Sequence, residues 1–260
     1  GPVINVPDDE VLCNETAPDT ITVDWSDNCG ESGQVTAYKT LKESDTCSRT
    51  YEYVFSATDK CGNNTTEEVL ITETWDQWQN CETAFARGTD NTCFLDGAFD
   101  RWGWTNMITK GNNYTLPLYA GAAQCDINKG ALVGNVHVEY SGSTVTVTYD
   151  IDEGYAMSEA HVYVGCEKYP TNKKGTTTVA PGQFTFNAGN LDHSTGITVE
   201  FDVSGIEGPL YLIAHAVTCE ETCRCSERPG PDDDKDFDTI NVNTNCTAGK
   251  AELSKVSEFN

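Results

Sequence analysis

The sequence predicts an all-β chain built as two tandem β-sandwich domains, over residues 1–76 and 81–219, with an acidic, cysteine-containing linker or tail over 220–260. Three observations lead there: stretches in which apolar and polar residues alternate with a period of two, no stretch with a sustained helical period, and 12 cysteines dispersed along 260 residues. Strict alternation puts one face of a strand in a core and the other in water. An even number of cysteines spread among such strands reads as a disulfide framework, and therefore as an oxidising compartment.

In the first domain the alternating segments are 20–25 (TITVDW), 50–56 (TYEYVFS) and 68–72 (EVLIT). They are punctuated by 27–30 (DNCG) and 59–63 (DKCGN). Each of these sets a cysteine inside an Asx/Gly turn, where the chain reverses and a thiol can staple one strand end to another. Short strands at this spacing make a small sandwich. Residues 75–81 (WDQWQNC) read as a junction whose tryptophans wedge two modules together or cap one core. Beyond it, Val136, Val138 and Tyr140 alternate, Ser141-Gly142-Ser143 turns, and Val145, Val147, Tyr149 and Ile151 alternate back, which predicts a hairpin. Further strands are expected at 160–165, 183–186, 197–203 and 209–217, with helices short or absent. After Cys219 few apolar residues and many like charges remain, so 220–260 is expected to be extended, with Cys225 and Cys246 able to pin it to the body.

The formal charge of −25 repels phosphate backbones and anionic lipid headgroups, which argues against nucleic acid and membrane surfaces as partners. Oxygen-rich acidic surfaces suit hard cations, so calcium is the one cofactor the composition favours, beside the plainer reading of a solvated acidic surface. No apolar run approaches the roughly 20 residues that span a bilayer. The first residues carry no signal peptide, and the numbering is expected to start in a processed or truncated chain. The cysteines are Cys13, Cys29, Cys47, Cys61, Cys81, Cys93, Cys125, Cys166, Cys219, Cys223, Cys225 and Cys246, all expected in disulfides of undetermined connectivity. A thiolate metal site would need clustered CxxC pairs, and only Cys223 and Cys225 approach one another in sequence.

Cys13, the DNCG turn at 27–30 and the string ATDKCGN at 57–63 resemble the HYR-like, immunoglobulin-type repeats of large secreted proteins of Bacteroidota. The second domain resembles a β-rich module of surface proteins of the same bacteria, through 82–88 (ETAFARG), 99–106 (FDRWGWTN), 118–121 (LYAG), 124–126 (QCD), 161–165 (HVYVG), 180–183 (APGQ) and 214–217 (AHAV). The resemblance implies an Ig-like first sandwich, a larger jelly-roll-like second one, and export as part of a modular protein of the type 9 secretion route. It supplies no catalytic residue.

Trp102 and Trp104, with Tyr114, Tyr119 and the cation Arg101 nearby, are the candidate ligand-binding residues, since indole faces stack on the apolar C–H faces of sugars. The competing and favoured reading is a buried tryptophan pair in a core. Asp24, Asp27 and Asp59 are the candidate calcium ligands, weighed against ordinary turn capping, and the run Asp232, Asp233, Asp234, Asp236 and Asp238 lacks the glycine and distal glutamate of an EF-hand loop. His137, His161, His193 and His215 are isolated in sequence, although folding could unite His161 with His215. There is no nucleophile elbow or other local catalytic signature, and the chain is read as a binding protein rather than an enzyme.

The leading expectation is an extracellular or cell-surface adhesin or filament subunit, contacting other extracellular proteins or copies of itself, with no direct membrane insertion. The alternative is a carbohydrate-binding module of a secreted polysaccharide-processing protein, with glycans as partners. A hydrolase using an unsigned pair of carboxylates is the third reading.

Overall fold

The computed structural model describes residues 1–206 and 208–225, and the backbone alone of Lys235–Asp236, Asn243–Thr244 and Leu253–Ser254. The architecture is all-β, and the helical turns among the described residues are four short 3-10 segments at Phe94–Gly97, Ala123–Cys125, Ile127–Lys129 and Pro181–Gln183. Cys246 and the acidic run at 232–234 and 238 lie outside the described residues.

Two compact units are formed, Gly1–Trp78 with Glu221–Pro229, and Gln79–Glu220 with Gly230–Asn260. The first holds β1 (Val3–Ile4), β2 (Glu10–Cys13), β3 (Thr20–Ser26), β4 (Ser32–Tyr38), β5 (Thr40–Ser44), β6 (Ser48–Thr58) and β7 (Asn64–Thr74). They pair in two sheets, ordered β1-β3-β4 and β2-β7-β6-β5. Alternation in β6 and β7 sends Tyr53, Phe55, Ala57, Val69 and Ile71 inward, against Ile4, Ala37 and the half-buried Ile21, Val23 and Trp25 of the facing sheet. Tyr53 donates its hydroxyl to the carbonyl of Pro18, so the phenol enters the core without an unpaired polar atom. Strand β2 joins β7 in parallel, with Cys13 opposite Thr74, and β6 joins β7 antiparallel, with Arg49 opposite Glu73.

Strand β8 (Gln77–Ala86) leads into the second unit, which contains β9 (Asn91–Cys93), β10 (Trp104–Ile108), β11 (Asn112–Ala120), β12 (Ala131–Ser141), β13 (Thr144–Ile151), β14 (Tyr155–Gly165), β15 (Phe186–Asn187), β16 (Gly196–Asp202) and β17 (Leu210–Cys223). One sheet runs β15-β14-β17-β8-β11-β12-β13-β16 and ends on β18 (Lys235–Asp236), with β10 attached to β17 and β9 to β10. The expected hairpin is β12–β13, in register from Ser141↔Thr144 to Gly134↔Ile151. Inward residues of β12, β13 and β16, such as Val138, Val147 and Val199, share one core with Val162 of β14 and Leu212 and Ala214 of β17. Tyr149 reaches from β13 to the carbonyls of His161 and His215, at 3.3 and 3.0 Å, and so bridges the two leaves. Gly134 sits where a Cβ would lie 2.3 Å from the Asp150 carbonyl oxygen, at φ 148°, so only glycine allows β12 to pass that close to β13.

Two sequence expectations are corrected. Residues 183–186 are a 3-10 turn leading into a two-residue strand rather than a strand throughout. The boundary set at 219 by composition falls inside β17: Glu220 pairs with Tyr155, and the chain continues as a strand to Cys223. Backbone pairing and cystines hold a stretch that lacks the apolar side chains by which an ordered segment is normally recognised. Four disulfides are formed among the described residues: Cys13–Cys225, Cys47–Cys223, Cys81–Cys219 and Cys93–Cys125. Cys166 is also disulfide-bonded. Each cross-link removes conformers from the unfolded chain and contributes about 2–4 kcal/mol. Cys29 and Cys61, expected in disulfides, are instead free and exposed.

Candidate functional site

The aromatic residues singled out in the second domain build a second core rather than an open platform. Odd-numbered positions of β17, and of β14 beyond its register shift at 157–159, point away from the main core. There Tyr163 and Ile213 meet Phe85, Phe94, Trp104, Val179 and Phe184, under the segments around 93–103, 122–127 and 169–184. The Cys93–Cys125 cystine ties two of these covering segments together. Trp104 is 1% exposed, which leaves no indole face for a ligand. Trp102 is half-buried, edge-on to Trp104 at 5.8 Å and to Phe85 at 5.3 Å, and Tyr119 stands 6.4 Å from Trp104. Arg101 is exposed beside them, whereas the cation lying over the Trp104 ring, at 5.9 Å, is Arg87. Tyr114 is not part of this group. It packs on the opposite face of β11, against the main core, with its hydroxyl accepting from the Thr109 amide at 2.8 Å. The predicted quartet is therefore split across two faces because a strand sends residues 114 and 119 to opposite sides.

Phe85 also leads to a buried histidine pair. His161 and His215 face each other across β14 and β17, with their Nδ1 atoms 3.1 Å apart and Phe85 4.8 Å from the His215 ring. A bond between two Nδ1 atoms requires one ring to donate and the other to accept, so the pair is neutral with opposite tautomers. Burial, then the neighbouring His161, pushes the His215 pKa down to about 3, and burial lowers that of His161 against the opposing pull of Glu159.

The proposed calcium ligands Asp24, Asp27 and Asp59 do not come together as one ligand group, although Asp27 and Asp59 are neighbours. Asp24 accepts a hydrogen bond from the Gln34 amide at 3.0 Å, Asp27 caps the Cys29 amide at 2.9 Å, and Asp59 accepts from the amide and side chain of Asn63 at 2.8 and 2.7 Å. Asp27 and Asp59 cap their turns, whereas Asp24 stands within β3 and bonds the side chain of its cross-strand neighbour Gln34. Among the described residues, the one group of three metal-type side chains with ligand atoms mutually close is Cys13, Asp76 and Cys225, and its two sulfurs are bonded to each other.

The site that the geometry does assemble lies in the first unit. Strand pairing brings the end of β2, the start of β6 and the end of β7 side by side, and a cleft of about 310 Å³ opens between Asn14, Glu15, Thr16, Arg49, Glu73, Thr74 and Trp75. Its floor is fixed by ion pairing. Lys39 Nζ lies 2.9 Å from Glu73 Oε1, which also accepts the Ala17 amide at 2.8 Å, and Lys39 donates to the Ala17 carbonyl at 3.0 Å. Burial works against the Glu73 carboxylate, but the bond from Lys39, the Ala17 amide and the charges of Lys39 and Arg49 together hold its pKa below the ordinary value. The rim is fixed by Asn14, which takes a left-handed conformation at φ 54°. Its amide donates to the Thr74 carbonyl at 2.8 Å, and its side chain exchanges two hydrogen bonds of 3.1 Å with Asp76. Asp76 in turn accepts the Cys225 amide at 3.0 Å, beside the Cys13–Cys225 cystine. The Arg49 guanidinium lies over one face of the half-buried Trp75 ring, 5.4 Å from its centre. The cleft thus offers an aromatic surface, a fixed cation, a free carboxylate on Glu15 and short hydroxyl and amide groups. Trp75 was legible only as a junction tryptophan.

No family model matches the chain, and no curated protein does so significantly. A solved structure of CBM51-2 in complex with GlcNAc and INT domains, from Clostridium perfringens ZmpB, is similar at 14% identity over 87% of this chain and 49% of that one, with a TM-score of 0.22. This chain spans about half of that structure's chain. A likeness that low carries no argument about either unit.

No helix among the described residues is long and apolar enough to cross a membrane. A chain with this many cystines belongs in an oxidising compartment.

Proposed function

We propose that this chain is a glycan-binding module of an extracellular protein and that the Trp75 cleft holds the sugar. The observation that carries the reading is the half-buried indole at the edge of an open cleft whose other walls are Asn14, Glu15, Thr16 and Arg49. A pyranose ring has one apolar face and a girdle of hydroxyls, so it needs an aromatic surface together with closely spaced donors and acceptors. Asn14 and Thr16 supply short donors and acceptors, Arg49 a planar donor fork, and Glu15 a carboxylate. Glycan-array screening followed by calorimetry on the hits tests this. Trp75→Ala is expected to weaken binding at least tenfold, about 1.4 kcal/mol, while Trp102→Ala leaves it unchanged. Failure of the parent protein to bind any glycan, or equal affinity of the Trp75→Ala variant, refutes the assignment.

A second reading, an adhesin or filament subunit, rests on the sheet edges of the first unit. β4 and β5 are both edge strands, every residue of β5 is exposed, and Tyr38 and Leu41 stand out at 71% and 55% exposure. Open edges accept strands from other chains. Fibres or concentration-dependent oligomers in electron micrographs and sedimentation favour it; a monomer at all concentrations counts against it.

A further inference from the structure

The two free cysteines occupy equivalent positions in two equivalent turns. Asp27-Asn28-Cys29-Gly30-Glu31 links β3 to β4, and Asp59-Lys60-Cys61-Gly62-Asn63 links β6 to β7. In each, the amide of the aspartate bonds the carbonyl four residues on, at 2.8 and 3.0 Å, and the glycine amide returns to the aspartate carbonyl, at 3.1 and 3.0 Å. The glycines share a left-handed conformation, at φ 82° and 86°. The two hairpins come from the two different sheets of the sandwich, and their tips touch beside the thiols. Asp27 and Asp59, each two residues before a cysteine, are neighbours. Glu31, two residues after Cys29, takes the amide of Lys60, the residue before Cys61, at 3.0 Å and pairs with Lys60 Nζ at 2.6 Å. This contact holds the two thiol-bearing turns against each other. Both thiols are exposed, and Cys29 Sγ lies 3.6 Å from Asn28 Oδ1.

We propose that Cys29 and Cys61 form a redox clasp that closes into a cystine between the two turns by exchange with a low-molecular-weight disulfide. The Cys29 thiol loses its proton to water, and the thiolate attacks one sulfur of the small disulfide, releasing one small thiolate and leaving a mixed disulfide on Cys29. The Cys61 thiolate then attacks the Cys29 sulfur, forming the Cys29–Cys61 bond and releasing the second small thiolate. In sum two protein thiols are oxidised and one small disulfide is reduced to two thiols. Closure joins the two sheets covalently at the end of the sandwich where hydrogen bonds and one ion pair hold them now. It is independent of the glycan reading, because neither cysteine lines the cleft.

The test is incubation of the intact chain with oxidised glutathione, quenching in acid, maleimide labelling under denaturing non-reducing conditions, and peptide mapping. The expected result is that the two labels per chain on Cys29 and Cys61 fall to none, replaced by one cross-linked peptide pair. Cys61→Ser is expected to stop at a glutathione adduct on Cys29 that outlives the wild-type adduct roughly tenfold or more, since the resolving thiol sits at high effective concentration. A peptide pair already cross-linked in the isolated protein supports the same conclusion. Thiols that remain labelled, stable adducts on both cysteines of the wild type, or links between two chains overturn it.

Discussion

Acidification should weaken the second unit through His215, and the loss can be worked out from the geometry. The imidazole is 4% exposed, faces His161 at 3.1 Å and packs on Phe85. Its pKa is pushed down to about 3 from 6.5. A base whose folded pKa is depressed binds fewer protons folded than unfolded between those two values. Stability therefore falls as pH drops below about 6.5 and goes on falling toward about 3. Between pH 7 and pH 5 the unfolded histidine gains most of its proton and the folded one almost none. The difference costs about 2 kcal/mol at about 1.4 kcal/mol per pKa unit. His161, shifted in the same direction, adds to it. Urea titrations at pH 7 and pH 5, read through amide protection of β17, measure the loss. His215→Asn can keep a partner for His161 Nδ1 without a group that charges, and is expected to remove most of this pH dependence whatever its effect at pH 7. Equal losses for the wild type and His215→Asn over that interval would refute the reasoning.

Gly134→Ala is expected to cost about 3 kcal/mol or more, because its Cβ would meet the Asp150 carbonyl oxygen at 2.3 Å. Gly142→Ala, at φ 56° with nothing within 4 Å, costs only about 1 kcal/mol; thermal melts compare the two. Trp104→Ala should destabilise by about 3–5 kcal/mol as a fully buried aromatic truncation, and Trp102→Ala by clearly less, measured by chemical denaturation. Equal effects would place Trp102 in the core as firmly as Trp104.

What could be read in advance follows from which strands have one wet face. Strands β6, β7, β12 and β13 bury one side only, so their alternation is written in the residues. Strand β5 (TLKES) has no buried side and no pattern, and β10 (WTNMI) is buried at four of five positions, which erases alternation in the other direction. Pro117 disguised β11, and it is tolerated because the ladder with β8 covers only Leu118–Ala120, so that on that side residue 117 supplies just its carbonyl, which accepts the Arg87 amide at 2.9 Å. The cleft was illegible for a different reason. Asn14, Arg49 and Trp75 are spread over the whole first unit and meet only through the parallel pairing of β2 with β7 and the long β6–β7 hairpin. The histidine pair could be named in sequence because both residues sit in recognisable strands, but the register that sets them opposite one another could not.

The partners of Cys13 and Cys47 arrive 212 and 176 residues later in the chain, after residues 79–220. During synthesis, at about 5–20 residues per second, these two thiols wait on the order of 10–40 s before their mates exist. The first sandwich thus emerges well before it is sealed, and a nascent or truncated product ending before residue 223 leaves Cys13 and Cys47 without their mates, a state that quality control or a thiol oxidoreductase can detect.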